Sequence, residues 1–158
     1  MERGEIEVRK HLVSLLNSEQ AHVSIQKAMA EIPLEKLGEN QPDFPYSLWQ
    51  QIEHARLAQK DIVDYTFNDN YQPLQWPDDY WPEATTPENE KAYHDCLNSF
   101  EQDLNQMIDH INNPKNDLYE NFPYGDGHNL LREALLLADH NAYHAGQIIL
   151  LRKILKIW

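Results

Sequence analysis

Apolar residues recur along most of this chain at the three- and four-residue spacing of amphipathic helices, and no stretch shows the sustained alternation of a strand. Four such periodic stretches are separated by segments that hold the chain's nine prolines. The pattern therefore predicts an all-α fold: one domain over residues 1–158, built as a four-helix bundle with two long connections.

Two of these helices have clear start signals. Ser47 with Gln50 three residues later forms a capping box, in which each side chain bonds the other residue's backbone N–H. The second helix is therefore expected to begin there and to reach about Phe67. Asn129 can cap the last helix, which is expected to run nearly to Trp158.

The first and third helices are limited by other signals. The first is expected over about residues 6–30, before Ile32-Pro33, because a proline disfavours the α conformation in the residue that precedes it. The third is expected to begin at Thr86-Pro87-Glu88, which offers an N-cap hydroxyl, a proline and a first-turn carboxylate, and to reach about Asn112.

The connection between the second and third helices, residues 68–86, is long and aromatic. A structureless segment of this length is uncommon unless it packs down or serves a function. We therefore expect it to lie across an end or a side of the bundle, through Tyr71, Trp76, Tyr80 and Trp81.

Charge and cysteine content narrow the possible partners and compartment. Lys and Arg number 13 against 26 Asp and Glu, so the formal net charge is −13 and a nucleic acid backbone would be repelled. A single cysteine, Cys96, excludes an intrachain disulfide and fits a reducing cytosol. No stretch approaches the ~20 apolar residues of a membrane span. We expect a cytoplasmic protein without membrane or nucleic acid partners.

The last helix is the most apolar of the four and carries apolar residues on more than one side. Such a helix either lies inside a bundle or also faces a second subunit. We therefore expect part of its surface to serve a homodimer.

Two of the eight histidines have a spacing that suits a metal ion. His140 and His144 lie one turn apart on one face of the last helix, so that both imidazoles can converge on one ion. Glu133, Leu137 and Leu151 share the stripe, which indicates an inward face where an imidazole without a partner is costly. The alternative is two histidines that are satisfied in the core or at the surface.

Three known histidine sites do not fit this chain. A zincin protease needs a glutamate directly after the first histidine, where Asn141 stands. A di-iron bundle needs Glu-x-x-His on two helices, and only Glu19–His22 has that spacing. A haemerythrin-like site needs His-x-x-x-Glu, but Ala58 follows His54 at that distance.

His54, in the middle of the second helix beside an apolar stripe, is the candidate for a third ligand. Its position alone also suits a residue at the edge of the core. The other histidines have no partner at ligand spacing and are expected at the surface or beside the site: His11, His22, His94, His110 and His128.

Three segments together resemble the DinB-like superfamily of metalloproteins. The run from Ala138 to Ile148, followed by Leu151-Arg152, is similar to the family's last-helix pattern of His, three residues, His, a Gly-Gln step and an Arg. The run from Ser47 to His54, with Arg56 and Asp61, resembles its metal-bearing second helix. The connection from Trp76-Pro77 to Trp81-Pro82 resembles that of one branch of the family.

This resemblance implies an up-down-down-up four-helix bundle, usually a homodimer. It also implies one divalent metal ion on three histidines, here His54, His140 and His144, with zinc or nickel most expected and the identity left open. Several members of the family are transferases or isomerases that use bacillithiol, mycothiol or glutathione.

Our first functional hypothesis is a metal-dependent transferase that moves a low-molecular-weight thiol onto a small electrophile. Three histidines leave coordination positions open, as in catalytic sites. Gln147 and Tyr143 are candidates for orienting a substrate, although a second-sphere hydrogen bond for Gln147 and helix packing for Tyr143 explain them better. The alternative is a non-catalytic, stress-responsive metal-binding dimer. Hydrolysis ranks last, because Glu133 is the only carboxylate on the histidine stripe.

Overall fold

The computed structural model describes residues 3–158, which form helices joined by irregular segments. The helices are α1 Arg3–Asn17, α2 Ile25–Met29, α3 Leu34–Leu37, α4 Leu48–Phe67, α5 Glu90–Asn112 and α6 Leu130–Ile154, with a 3-10 turn at Asp78–Tyr80. Within this part of the chain no strand forms, and one antiparallel bridge pairs Asn121 with Asn129. The predicted all-α class is confirmed.

The predicted start signals of α4 and α6 are confirmed. The Ser47 hydroxyl accepts a bond from the Gln50 N–H at 3.2 Å, and the Gln50 side-chain oxygen accepts from the Ser47 N–H at 3.1 Å. Asn129 accepts from the Arg132 N–H at 3.0 Å. Helix α6 ends at Ile154, short of the predicted end.

Two predicted helix limits are wrong. The first helix stops at Asn17 instead of about Ala30, and a separate short helix follows it, which Ser24 caps by accepting from the Lys27 N–H at 3.2 Å. Helix α5 begins after Asn89, whose side chain accepts from the Ala92 N–H at 2.9 Å. Asn89 therefore replaces Thr86 as the cap, and the Thr85 carbonyl accepts from the Ser47 hydroxyl at the start of α4.

Helix α4 lies at the centre of the packing, against both α6 and α5, while α1 packs on α5 and α6. The apolar faces of these helices form one core, whose largest fully buried side chains include Leu48, Ile52, Phe100, Leu104, Ile111, Leu137 and Ile148. No helix within residues 3–158 is both long and apolar enough to cross a membrane.

Two buried arginines hydrogen-bond to the ends of neighbouring helices and so hold α1 and α2 against the core. The Arg152 guanidinium donates to the carbonyls of Ala28 and Ala30 at 2.7 and 2.8 Å, where α2 ends. The Arg9 guanidinium donates to the carbonyls of Ile111 and Asn113, where α5 ends. Both satisfy helix carbonyls that lack an intrahelical partner. The arginine of the last-helix motif therefore has a structural role.

A buried polar link joins α4, α5 and α6 at the core. Gln59 on α4 is fully buried, and its amide donates to the Phe100 carbonyl of α5 at 2.6 Å. Its side-chain oxygen accepts from the Asn141 amide of α6 at 3.0 Å. Because polar groups buried without partners are costly, these bonds favour one register of α4 against its two neighbours.

Candidate metal centre

The structure brings together the three histidines that the sequence singles out. His54 faces His140 and His144 across the interface of α4 and α6, and one ring nitrogen of each residue lies within 4.8 Å of the others. The Nε2 atoms of His54 and His144 are 3.1 Å apart. His54 and His144 are buried and His140 is half-buried, so the cluster lies at the edge of the core.

Two oxygen acceptors fix the tautomers of His54 and His144. Nδ1 of His54 lies 2.8 Å from the Tyr80 carbonyl, which can only accept, so this nitrogen carries the proton. Nδ1 of His144 lies 3.0 Å from the side-chain oxygen of Gln51, one turn before His54 on α4. With Nδ1 protonated in both neutral rings, both Nε2 atoms are unprotonated and can bind a cation.

This arrangement fits a divalent cation. Two nitrogens at ~2.1 Å from a tetrahedral ion are separated by ~3.4 Å, close to the 3.1 Å between the two Nε2 atoms. Nδ1 of His140 is buried without a hydrogen-bond partner among residues 3–158. The oxygen-bonded Nδ1 atoms match the second-sphere contacts of metal-bound imidazoles. The three residues could hold a divalent metal ion.

Burial keeps these rings neutral. Desolvation lowers the pKa of His54 below its ordinary value, despite the bond to Tyr80. Desolvation and the neighbouring His54 lower the pKa of His140 to about 4. Desolvation, with His140 and His54 nearby, lowers the pKa of His144 to about 3. Neutral imidazole is the form that binds a metal, so the site is prepared for one at neutral pH.

The aromatic connection lies on a side of the bundle, and the structure places it over the histidines, which the sequence did not predict. The Trp81 ring stacks on the His54 ring at a centroid distance of 3.9 Å and an interplanar angle of 3°. Tyr46 covers the other face of Trp81 at 3.8 Å. His54 is thus held by its own helix, by the Tyr80 carbonyl and by an aromatic stack.

Asp61, two turns after His54 on α4, anchors this connection. Its two carboxylate oxygens accept from the hydroxyls of Tyr71 and Tyr80, the latter at 2.7 Å. Burial and the Asp61 carboxylate raise the pKa of both phenols, that of Tyr71 to about 12, so both remain donors. Asp61 therefore holds Tyr80, whose carbonyl in turn orients the His54 ring.

The histidines open onto a cleft of about 540 Å³. Apart from the three histidines and Asp61, its walls are mainly aromatic and aliphatic, and include Tyr46, Trp76, Tyr80, Trp81, Leu136 and Tyr143. Clefts of this size, with a few polar groups among apolar walls, are typical of small-molecule sites.

The other predicted residues fall in different places. Tyr143 lines the cleft and is 66% exposed, whereas Gln147 is not among the lining residues. Glu133 is buried against Arg132 at 2.7 Å and lies 3.0 Å from His128, away from the cleft. His22 lies at the surface, where Nδ1 is 2.8 Å from the carbonyl of Val23.

The sequence did not reveal the polar residues around the histidines. In the sequence, Gln51 is a polar residue near the start of α4 with no distinguishing motif. Only the packing of α4 on α6 brings it to His144. The Tyr80 carbonyl carries no side-chain signal. Asp61 belongs to the segment that carries the family resemblance, but its bonds to two tyrosines of the connection depend on the fold.

Fold and site together define an all-helical protein with a three-histidine cluster beside an aromatic cleft. The profile of the DinB superfamily matches residues 18–148, most of the chain, and the protein therefore belongs to that superfamily. The resemblance stated from the sequence is thus confirmed. No curated protein and no solved structure gives a significant match.

The lowered pKa values predict a proton titration of the metal-free protein. In NMR spectra, the rings of His140 and His144 should be half-protonated near pH 4 and pH 3, rather than near the ordinary value of 6.5. Because the unfolded chain binds these protons already near pH 6.5, the two rings should lower the free energy of unfolding as the pH falls from about 6.5 to about 3. Titration of either ring at or above pH 6 would contradict this environment.

Proposed function

We propose that His54, His140 and His144 are the ligands of one divalent metal ion, with zinc or nickel as the expected metals. The observation that carries this proposal is the pair of bare Nε2 atoms, 3.1 Å apart, whose rings are fixed by oxygen acceptors on the opposite side. The half-buried His140, with its unpaired Nδ1, supplies a third imidazole.

We further propose that the protein is a transferase of the thiol-dependent kind, moving a low-molecular-weight thiol onto a small electrophile. A divalent ion bound there would lower the pKa of a coordinated thiol, so that it is a nucleophile at neutral pH. The chain itself contributes the orientation of its ligands through Gln51 and the Tyr80 carbonyl. The aromatic cleft would hold the second substrate and limit its hydration.

Two features of the site favour an external thiol over other chemistries. Cys96 is buried on α5, where burial and the neighbouring Glu53 raise its thiol pKa, so it is a poor nucleophile. Glu133, the carboxylate considered for hydrolysis, is paired with Arg132 and lies outside the cleft. No carboxylate other than Asp61 lines the cleft, and Asp61 is engaged by two tyrosines.

We propose the up-down-down-up arrangement for the four long helices. An antiparallel course of α4 and α6 is supported by their contacts, since Gln51 meets His144 and the later Gln59 meets the earlier Asn141. A parallel course of α4 and α5 is supported by Gln59 against Phe100 and Phe67 against His110.

We propose that the protein forms a homodimer through α6. Leu136, Tyr143 and Leu150 follow one another at seven-residue intervals and are 38%, 66% and 51% exposed, and Ile154 extends the same side. A row of exposed apolar residues on a long helix favours burial against a partner. This face borders the cleft through Leu136 and Tyr143, so a partner would narrow its opening.

The ligand assignment predicts that His144→Ala loses the metal. Loss of a ligand from a three-histidine site removes an essential bond, so we expect stoichiometric metal in the wild-type protein and almost none in the variant after purification, by elemental analysis. His22→Ala, at an exposed histidine, serves as the control and should retain the metal. Stoichiometric metal in His144→Ala would contradict the assignment.

The transferase proposal predicts thiol conjugation that depends on the metal. Metal-loaded protein should consume thiol when mixed with an electrophile such as monochlorobimane and each of several low-molecular-weight thiols in turn. Removal of the metal by a chelator, or His144→Ala, should abolish this activity. Stoichiometric metal without conjugation of any thiol would instead favour a non-catalytic metal-binding protein.

The dimer proposal predicts that Leu150→Glu produces a monomer. A charge at the middle of a buried interface is costly, so the mass from light scattering after gel filtration should fall by half. Leu15→Glu is a matched control, because Leu15 is 49% exposed on α1, and should leave the mass unchanged. A wild-type protein of monomeric mass would overturn the proposal.

A further inference from the structure

Asp61 carries a negative charge on the wall of the cleft without a cationic partner. Within residues 3–158 it forms no salt bridge, and the adjacent Lys60 is paired with Asp64 at 2.9 Å. Its hydrogen-bond donors are the neutral phenols of Tyr71 and Tyr80. A carboxylate can accept about four hydrogen bonds, so Asp61 retains capacity for another donor. A half-buried carboxylate of this kind is stabilised by a positive charge.

The walls next to Asp61 also suit a cation. The rings of Trp76 and Tyr80 lie 5.4 Å apart between centroids and are inclined at 56°, so they form two sides of a corner. The Trp76 ring is 69% exposed, which leaves it accessible to a ligand. Aromatic rings attract organic cations through their negative faces, most strongly in the case of tryptophan.

Away from the histidines, the cleft has no cationic side chain that could bind an anionic group of a ligand. No lysine or arginine is among the residues that line it, and the chain as a whole has a formal net charge of −13. The carboxylate of Asp61 would repel an anionic group at its end of the cleft. The negative charge at this end of the cleft therefore favours a cationic ligand group over an anionic one.

We propose that the end of the cleft formed by Asp61, Trp76 and Tyr80 is a subsite for an organic ammonium group. The ligand would be a small, bifunctional molecule, with its positively charged nitrogen at this subsite and a metal-binding atom toward the histidines. Asp61 follows His54 by seven residues on α4, a rise of ~10 Å, and the Trp76 ring centroid lies 6.5 Å from that of His54, so the two distances together set the scale of the spacing. The metal-binding end rests on the proposed function; the ammonium subsite does not.

Three six-carbon thiols of equal length test this subsite. They carry a trimethylammonium, a hydroxyl or a carboxylate group at the far end, and their affinities would be measured by calorimetry on metal-free and metal-loaded protein. We expect the ammonium thiol to bind about tenfold more tightly than the other two in both forms. Equal affinities for the three compounds would overturn the proposal.

Matched variants test whether the preference for the ammonium thiol depends on Asp61 and Trp76. Asp61→Asn keeps the size of the side chain and should remove most of the preference for the ammonium thiol, as should Trp76→Leu at a largely exposed position. Asp64→Asn, one turn from Lys60 and outside this cleft, should leave the preference unchanged. Full preference in both Asp61→Asn and Trp76→Leu would place the cation elsewhere and overturn the proposal.

The two proposals fail in different ways. If metal-free protein prefers the ammonium thiol but the loaded protein conjugates no thiol, the subsite stands and the transferase proposal fails. If the loaded protein conjugates thiols without any preference for the ammonium compound, the transferase stands and the subsite fails.

Discussion

Two unprotonated imidazole nitrogens face each other at 3.1 Å between α4 and α6, and the rest of the site is organised around this contact. The Tyr80 carbonyl and Gln51 hold the protons on the opposite side of each ring, so neither nitrogen can donate to the other. A cation between them could bind both nitrogens at once. The buried bonds of Gln59 to Phe100 and Asn141 hold the helices in this register.

The aromatic connection after α4 links the histidines to the cleft. Trp81 stacks on His54, the Tyr80 carbonyl orients the same ring, and Asp61 fixes Tyr80 by accepting from its hydroxyl. One segment therefore both supports the His54 ring and forms a wall of the cleft, together with Trp76. A displacement of this segment would alter both at once, which gives a physical reason for a connection of this length in a small bundle.

Local signals predicted those features that depend on a few neighbouring residues. The capping box at Ser47 and the cap at Asn129 lie where the sequence placed them, because the bonds join residues three apart. The spacing of His140 and His144 fixes one helix face in the same way. The local signal at Thr86 is wrong, because Asn89 caps α5 instead; the neighbouring Thr85 carbonyl accepts from Ser47, in a distant part of the chain. The predicted first helix is too long, since α1 ends at Asn17 and Ser24 caps a separate helix after it.

The sequence by itself determined the helical class, the inward pair of histidines and, through its resemblance, the superfamily. The position of His54 opposite that pair is a property of the packing of α4 on α6, and mid-helix position alone left it open. Only the tertiary structure brought Gln51, the Tyr80 carbonyl and Asp61 to the site, since each acts through residues distant in sequence. The bonds of His54 to Tyr80 and of His144 to Gln51 join residues 26 and 93 positions apart. No sequence periodicity predicts such bonds, because they depend on the packing of helices and loops against one another.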